Sequence, residues 1–279
     1  MAKKWLVPLL LSLAFLAGLM MVLYPTISDV WNRRHSSHSI ASYNEKVSSV
    51  TDTDYADEWQ KALAFNEKIA SLEGYELDEE LLAEYNSIFD ISGLGIMGYV
   101  QIPKLDVELP IYHGTSNSVL QIAIGHLEWS SLPTGGSSTH CVISGHRGLP
   151  SARLFTDLPK LSNGDVFYIR VLNELLTYEV DQILTVTPDD VEDLEIVEGQ
   201  DYLTLVTCTP YGVNSHRLLV RGHRIQNTDD TRRLYITSDA VRIEPLIVVP
   251  LLAAPVIVLL VLLVFIISDI RQAQQKKGG

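Results

Sequence analysis

Two kinds of hydrophobic pattern divide this chain. Near each end lies a stretch with no charged residue, Trp5 to Leu23 and Leu246 to Ile267, the second dense in Val, Leu and Ile. A bilayer core of roughly 30 Å takes about 20 apolar helical residues, so each stretch predicts a membrane-spanning helix. Lys3 and Lys4 precede the first as they would in a signal peptide. Its apolar run, however, exceeds the ~7–15 residues of a signal-peptide core, and no small-x-small cleavage site follows, so it reads as a retained anchor. Pro8, Pro250 and Pro255 are tolerated in membrane helices.

Between the anchors the period changes once. From Ser28 to Ser92 it is helical. Trp59, Ala62, Leu63, Ile69 and Ala70 recur at helical spacing, with Asp54 or Asp57 as N-cap and Gly74 as the stop. Leu81, Leu82, Tyr85, Ile88 and Phe89 share the face of a second helix that Asp78 can cap. From Met97 short runs rich in Val, Ile, Leu and Tyr alternate with Gly, Pro, Asn and Ser clusters. These runs are Gly98–Ile102, Leu109–Tyr112, His140–Ser144, Val166–Val171, Leu175–Val186, Leu203–Cys208 and Arg217–Ile225. Seven or more strands with almost no helical pattern between them predict a mainly β domain, barrel or sandwich, rather than a parallel α/β sheet. The chain therefore divides into an N-terminal anchor (1–24), a helical collar (25–93), a β domain (94–228), a linker (229–245), a second membrane helix (246–267) and a basic tail (268–279).

Charge adds a direction. Lys3 and Lys4 before the first span, and Arg271, Lys276 and Lys277 after the second, place both termini in the cytoplasm and the middle outside. The whole chain of 279 residues carries −13, but Tyr24 to Pro245 holds 16 of its 21 basic and 33 of its 34 acidic residues, a charge of −17. Such a surface cannot neutralise phosphates, which argues against a nucleic-acid partner. Seven carboxylates fall between Asp189 and Asp201. They read as a solvated connection between strands, with attraction of an incoming lysine as the sharper possibility.

An external domain with two cysteines either pairs them or keeps one reduced for use. Cys208 ends a β-run and precedes Thr209-Pro210-Tyr211-Gly212, which puts its thiol where a rigid strand opens into a loop. Cys141 lies within an apolar run and is expected to be a reduced, buried core residue. A cysteine nucleophile needs a base or cation nearby. His146, in Ser144-Gly145-His146-Arg147-Gly148, follows a strand, with glycines that let the backbone turn. His126 is its rival, while His113, His140, His216 and His223 sit in or beside strands and read as structural. For an oxyanion, Arg217 lies across a turn from Cys208, with Arg221 and Arg224 as competitors; Arg217 and Arg221 share a strand face and Arg224 takes the other.

These residues together resemble the sortase family. Thr204-Leu205-Val206-Thr207-Cys208 matches the TLxTC signature, Arg217 the active-site arginine, and Ser144-Gly145-His146 with Arg147-Gly148 the histidine segment. The longer strings Met97-Gly98-Tyr99-Val100-Gln101-Ile102-Pro103, Leu109-Pro110-Ile111-Tyr112-His113-Gly114-Thr115 and Cys208 to Arg217 resemble the pilus-assembling class C branch, as does a second membrane helix. The resemblance implies an eight-stranded β-barrel and a cysteine transpeptidase, also classed with cysteine peptidases, on a Gram-positive surface. It implies Cys208 as nucleophile, His146 as general acid and base, and Arg217 as the group that positions substrate and stabilises the oxyanion, with no cofactor or metal. The implied partners are pilin subunits or surface proteins bearing an LPXTG-type sorting signal, and a lysine amine as acceptor. Anchoring of surface proteins to cell wall peptide is the alternative activity, and a membrane-anchored β domain serving as an assembly platform the non-enzyme one. One departure stands out. Many class C enzymes carry an Asp-Pro-aromatic lid in the collar, and none occurs between Ser28 and Ser92. Asp57-Glu58-Trp59 is the nearest echo and Gly74 to Asp78 the better-placed linker, so either an open site or an atypical cover is expected.

Overall fold

The computed structural model describes residues 2–227. The second apolar stretch, the linker before it and the basic tail lie outside the described residues. The chain divides into two compact units, whose described parts are residues 31–227 and residues 2–30. The first helix, α1 (Ala2–Ser48), carries the N-terminal apolar stretch. An 18-residue window within Leu13–Ser48 has mean hydropathy 1.7 with none of it buried, and Leu13, Phe15, Met20 and Met21 are exposed. An exposed apolar helix is consistent with membrane anchoring.

The collar continues with α2 (Asp52–Ala70) and α3 (Glu79–Ser87). Asp78 caps α3 as its spacing predicts, accepting from the Leu81 amide. At α2 the cap is Thr51, whose hydroxyl accepts from the Asp54 amide, in place of Asp54 or Asp57. The helix starts one turn earlier than its first apolar residue suggests, because a cap is set by the backbone turn and not by the hydrophobic face. It also stops at Ser71, before Gly74.

Eight strands follow: β1 (Ile96–Ile102), β2 (Val107–His113), β3 (Ile124–His126), β4 (Thr139–Gly145), β5 (Val166–Val171), β6 (Glu174–Val186), β7 (Asp201–Thr209) and β8 (His216–Ile225). They close into a barrel in the order β1-β2-β3-β4-β7-β8-β6-β5. The β2–β3 and β4–β7 pairs are parallel and the rest antiparallel. Seven strands coincide with the alternating runs. β3 does not, since three residues with glycine at the centre are too few to show a period of two, and its pairing to β2 and β4 defines it instead.

Buried polar pins tie the collar to the barrel. The Tyr43 hydroxyl donates to the Met97 carbonyl (3.0 Å) and accepts from the Leu172 amide (2.7 Å), and its burial raises the phenol's pKa. Asn66 accepts the Leu132 amide (2.7 Å) and donates to Leu132 O (3.2 Å) and Thr134 Oγ1 (2.9 Å). An unmet group at such depth costs about 1–3 kcal/mol, so these pins select one docking of the helices. Phe65, Ile69, Tyr85, Ile88 and Phe89 fill the space between.

Three adjacent strands are apolar on both sides. Cys141, Ile143, Leu203, Leu205, Leu218 and Val220 belong to the main core, whereas their neighbours Val142, Val206 and Leu219 form a separate small cluster with Leu194. Successive strand residues point to opposite faces, so the central β4–β7–β8 part of the sheet has an apolar outer side as well.

Candidate active site

Cys208 is the penultimate residue of β7, and Arg217 the second residue of β8. The two strands are antiparallel, and Cys208 pairs directly with Arg217. Directly opposed residues project to the same face with Cβ atoms about 4.5–5.5 Å apart. On the other side, β4 runs parallel to β7 with Ser144 level with Val206. Thr207 Oγ1 donates to the Gly145 carbonyl at 2.7 Å, so the two chains stay joined past that pair. Continuing the same register by two residues sets His146 level with Cys208. The cysteine thus stands on the middle strand of three, with the histidine from one neighbour and the arginine from the other.

The environment suits a reactive thiol. Cys208 is half-buried and in no disulfide, while Cys141 is buried in the main core, where desolvation pushes its thiol well above the usual range. With a thiol reagent in excess, the native protein should take one label, at Cys208, and a second only after denaturation. An intact mass lower by two hydrogens before treatment would contradict this. Burial also lowers the pKa of the half-buried His146, which favours the neutral ring that a base requires near neutral pH.

The glycines beside His146 have different purposes. A Cβ on Gly145 would lie 2.7 Å from both Ile124 Cγ2 and Phe155 Cδ2, so that glycine serves close packing. Gly148 has φ +79°, and there the turn itself requires glycine. The competitors for both roles are occupied elsewhere. Arg221 makes a forked pair with Asp181 (3.1 and 3.0 Å) and lies over the Tyr202 ring at 4.1 Å. Arg224 sits 3.9 Å from Asp201. Arg217 bonds only main-chain oxygens, those of Asn214 (3.4 Å) and His216 (3.2 Å), and among the described residues no carboxylate pairs with it. Its charge is therefore left for an incoming group.

His126 is wholly buried, its ring held by the Tyr85 hydroxyl (3.0 Å) and the Ser131 carbonyl (2.8 Å), where no external peptide reaches it. His140 bridges Glu195 O and Thr204 Oγ1, and His113 lies against Gly95 O and Ile88 O. Burial lowers the pKa of His126 to about 3 and of His140 to about 4. Unfolded, both titrate near ~6.5. Below that pH the unfolded chain takes up protons that the fold refuses. Their contribution to stability is thus complete above about pH 6.5 and declines towards the folded values, by at most about 1.4 kcal/mol per pH unit for each ring. Urea melts should show a lower midpoint at about pH 5 than at about pH 7; an unchanged midpoint would mean that both rings are charged in the fold.

Two features of the site are not visible as motifs. The cluster of Val142, Val206, Leu219 and Leu194, edged by Leu127, Trp129, Leu184, Val186 and Val191, lies on the same strand faces as Cys208 and Arg217. Parity along β7 and β8 alone would have pointed to it. The second is the collar segment from Gly74 to Asp78. Tyr75 packs edge-on against Trp129 at 5.0 Å between ring centres and donates to Glu195 Oε1 at 2.9 Å. Asp57-Glu58-Trp59 lies inside α2, and Trp59 packs on Tyr55 and Phe89. Of the seven carboxylates from Asp189 to Asp201, Glu195 is held by Tyr75 and Asp201 by Tyr178 and the Gly136 amide. The others lie on a mostly exposed connection.

Comparison with known proteins agrees with this geometry. Residues 100–225 match the model of the sortase domain. The structure of sortase C1 from Streptococcus agalactiae is 53% identical, with a TM-score of 0.67 over 68% of this chain and 100% of that one. The chain belongs to the sortase family. A second sortase C, from Streptococcus pneumoniae, whose structure is described as giving insight into catalysis and pilin substrate specificity, is 47% identical with a TM-score of 0.62, over 68% of this chain and 98% of that one. Sortase A of Streptococcus agalactiae serotype III (strain NEM316) is 28% identical over 209 residues, 74% of this chain and 78% of that one. The class C neighbours and the cysteine chemistry common to sortases make this protein a class C sortase, a cysteine transpeptidase.

Proposed function

We propose that this sortase polymerises pilins: it cleaves an LPXTG-type sorting signal through a thioester on Cys208 and passes the acyl group to a lysine amine of the next subunit. The observation that carries the reading is the direct pairing of Cys208 with Arg217 on β8, with β4, the strand that leads into His146, as the other neighbour of β7. The Cys208 thiol gives its proton to the neutral His146 ring and attacks the threonine carbonyl as thiolate. The oxygen gains negative charge beside the Arg217 guanidinium, with which no carboxylate pairs among the described residues. The Thr–Gly bond breaks, the leaving amine takes its proton from the His146 imidazolium, and the thioester remains. The acceptor lysine, as free amine, then attacks the thioester carbonyl and yields its proton to His146 while the thiolate departs. The apolar cluster of Val142, Val206 and Leu219 offers a floor for the leucine and proline of an extended signal. Tyr75 and Trp129 at its edge form an atypical cover in place of the missing Asp-Pro-aromatic lid.

The proposed setting has two membrane spans, both termini in the cytoplasm and the barrel outside. The test is incubation of the full-length chain in detergent with a pilin bearing a sorting signal, with and without its lysine-containing acceptor subunit. A ladder of covalent oligomers that disappears when the lysine is replaced is the expected result. Attachment to a wall peptide amine without a ladder would instead support surface-protein anchoring. Unchanged cross-linking in Cys208→Ala would remove the enzymatic reading.

A further inference from the structure

Inside the ladder of β4 and β7 the chains hold each other, but His146 lies beyond its last pair, and among the described residues no hydrogen bond holds its ring. Its carbonyl accepts from the Phe155 amide at 3.1 Å. The next residue makes the connection towards the cysteine. Arg147 Nη1 donates to Thr209 Oγ1 at 3.1 Å, joining the residue after the histidine to the residue after the nucleophile. The same guanidinium lies over the Tyr211 ring at 5.9 Å. A Cβ on Gly148 would stand 2.7 Å from Tyr211 Cε2, so the two loops touch without a gap.

We propose that Arg147 is a positioning residue that clips the His146 loop to the Cys208 turn through Thr209 and Tyr211, and so sets the distance between base and nucleophile. The inference rests on reading Cys208 and His146 as the reacting pair. A simple stabilising role fits Arg147 poorly. Its Nε is buried and has no hydrogen-bond partner among the described residues, which costs free energy that an apolar side chain would recover. Removing the guanidinium should therefore leave the fold intact while loosening the geometry, and misplacement of a catalytic group by about 1 Å lowers a rate by as much as 10²-fold.

The test uses the full-length chain in detergent and a fluorogenic peptide containing Leu-Pro-X-Thr-Gly, with the pH dependence of Cys208 alkylation by iodoacetamide as a second readout. Arg147→Met should lower kcat about 10- to 100-fold, leave KM within about twofold, shift the alkylation profile and leave the melting temperature unchanged. Thr209→Val, nearly isosteric, should act in the same direction. The double variant should be no slower than Arg147→Met alone, because both remove one bridge. Arg147→Lys, which retains a donor, should recover part of the loss. The proposal is overturned by additive effects, by a rise in KM with kcat unchanged, or by wild-type rates and an unshifted alkylation profile in both single variants. Cys208→Ala assayed in parallel separates the two readings. If activity persists without the thiol, the catalytic assignment itself fails; if activity needs Cys208 but ignores Arg147 and Thr209, only the clip does.

Discussion

Cys208→Ala should abolish acyl transfer, by about 10⁴-fold or more, and leave no covalent adduct when the enzyme is mixed with a sorting-signal peptide and analysed by mass spectrometry. No other described thiol can substitute. Cys141, the other of the two cysteines, sits on the core side of β4 and holds its proton because burial disfavours the thiolate. The fold should hardly notice the change. Cys208 is half-buried at the end of β7, away from the main core, so the stability cost should stay within about 1 kcal/mol. A variant that folds, binds and does not react would also capture the signal peptide in its ground state. Residual transfer above about one per cent of wild type, with the fold intact, would mean that another group carries the acyl chain.

Arg217→Lys should be nearly as damaging, with a loss of about 10²- to 10³-fold in kcat, even though the charge is kept. The guanidinium is planar and presents several donors in fixed directions, whereas an ammonium on a flexible stem must find the oxyanion anew at each turnover. Arg221→Lys is the informative control. It lies four residues along the same strand face, but its donors are already given to Asp181 and its plane to Tyr202. Its replacement should change the rate less than about threefold, with a small loss of stability from a partly exposed pair. Steady-state kinetics on both variants checks the contrast. Equal losses would show that the whole strand face, and not the residue opposite the cysteine, supplies the charge.

Much of this arrangement is legible along the chain, and for identifiable reasons. Seven strands announced themselves as runs rich in Val, Ile, Leu and Tyr bounded by turn residues; β3 did not, because Ile124-Gly125-His126 is shorter than any such run. Cys208 was legible as a thiol at the mouth of a strand, and Cys141 as a small apolar residue inside one. His126 was the nearest rival of His146, since both follow apolar residues beside glycine, although only His146 has glycine close on both sides. What separated them was depth: His126 is sealed between Tyr85 and Ser131, and His146 is open on one side. Likewise, parity on β8 could set Arg224 apart but could not choose between Arg217 and Arg221.

The sequence by itself determined the local quantities: an apolar stretch long enough for a membrane at each end, a helical collar, the strands and their faces, and a cysteine at the point where a strand opens into a loop. Each depends on residues near one another in the chain. Only the tertiary structure decided that β4, β7 and β8 lie side by side, that β4 and β7 run parallel, and that the β7–β8 register sets Cys208 opposite Arg217. It also brought Arg147 to Thr209 and Tyr75 to Trp129, pairs more than fifty residues apart. Register between distant strands comes from the sum of cross-strand packing and hydrogen bonds over the closed barrel, and that sum exists only once the barrel has closed.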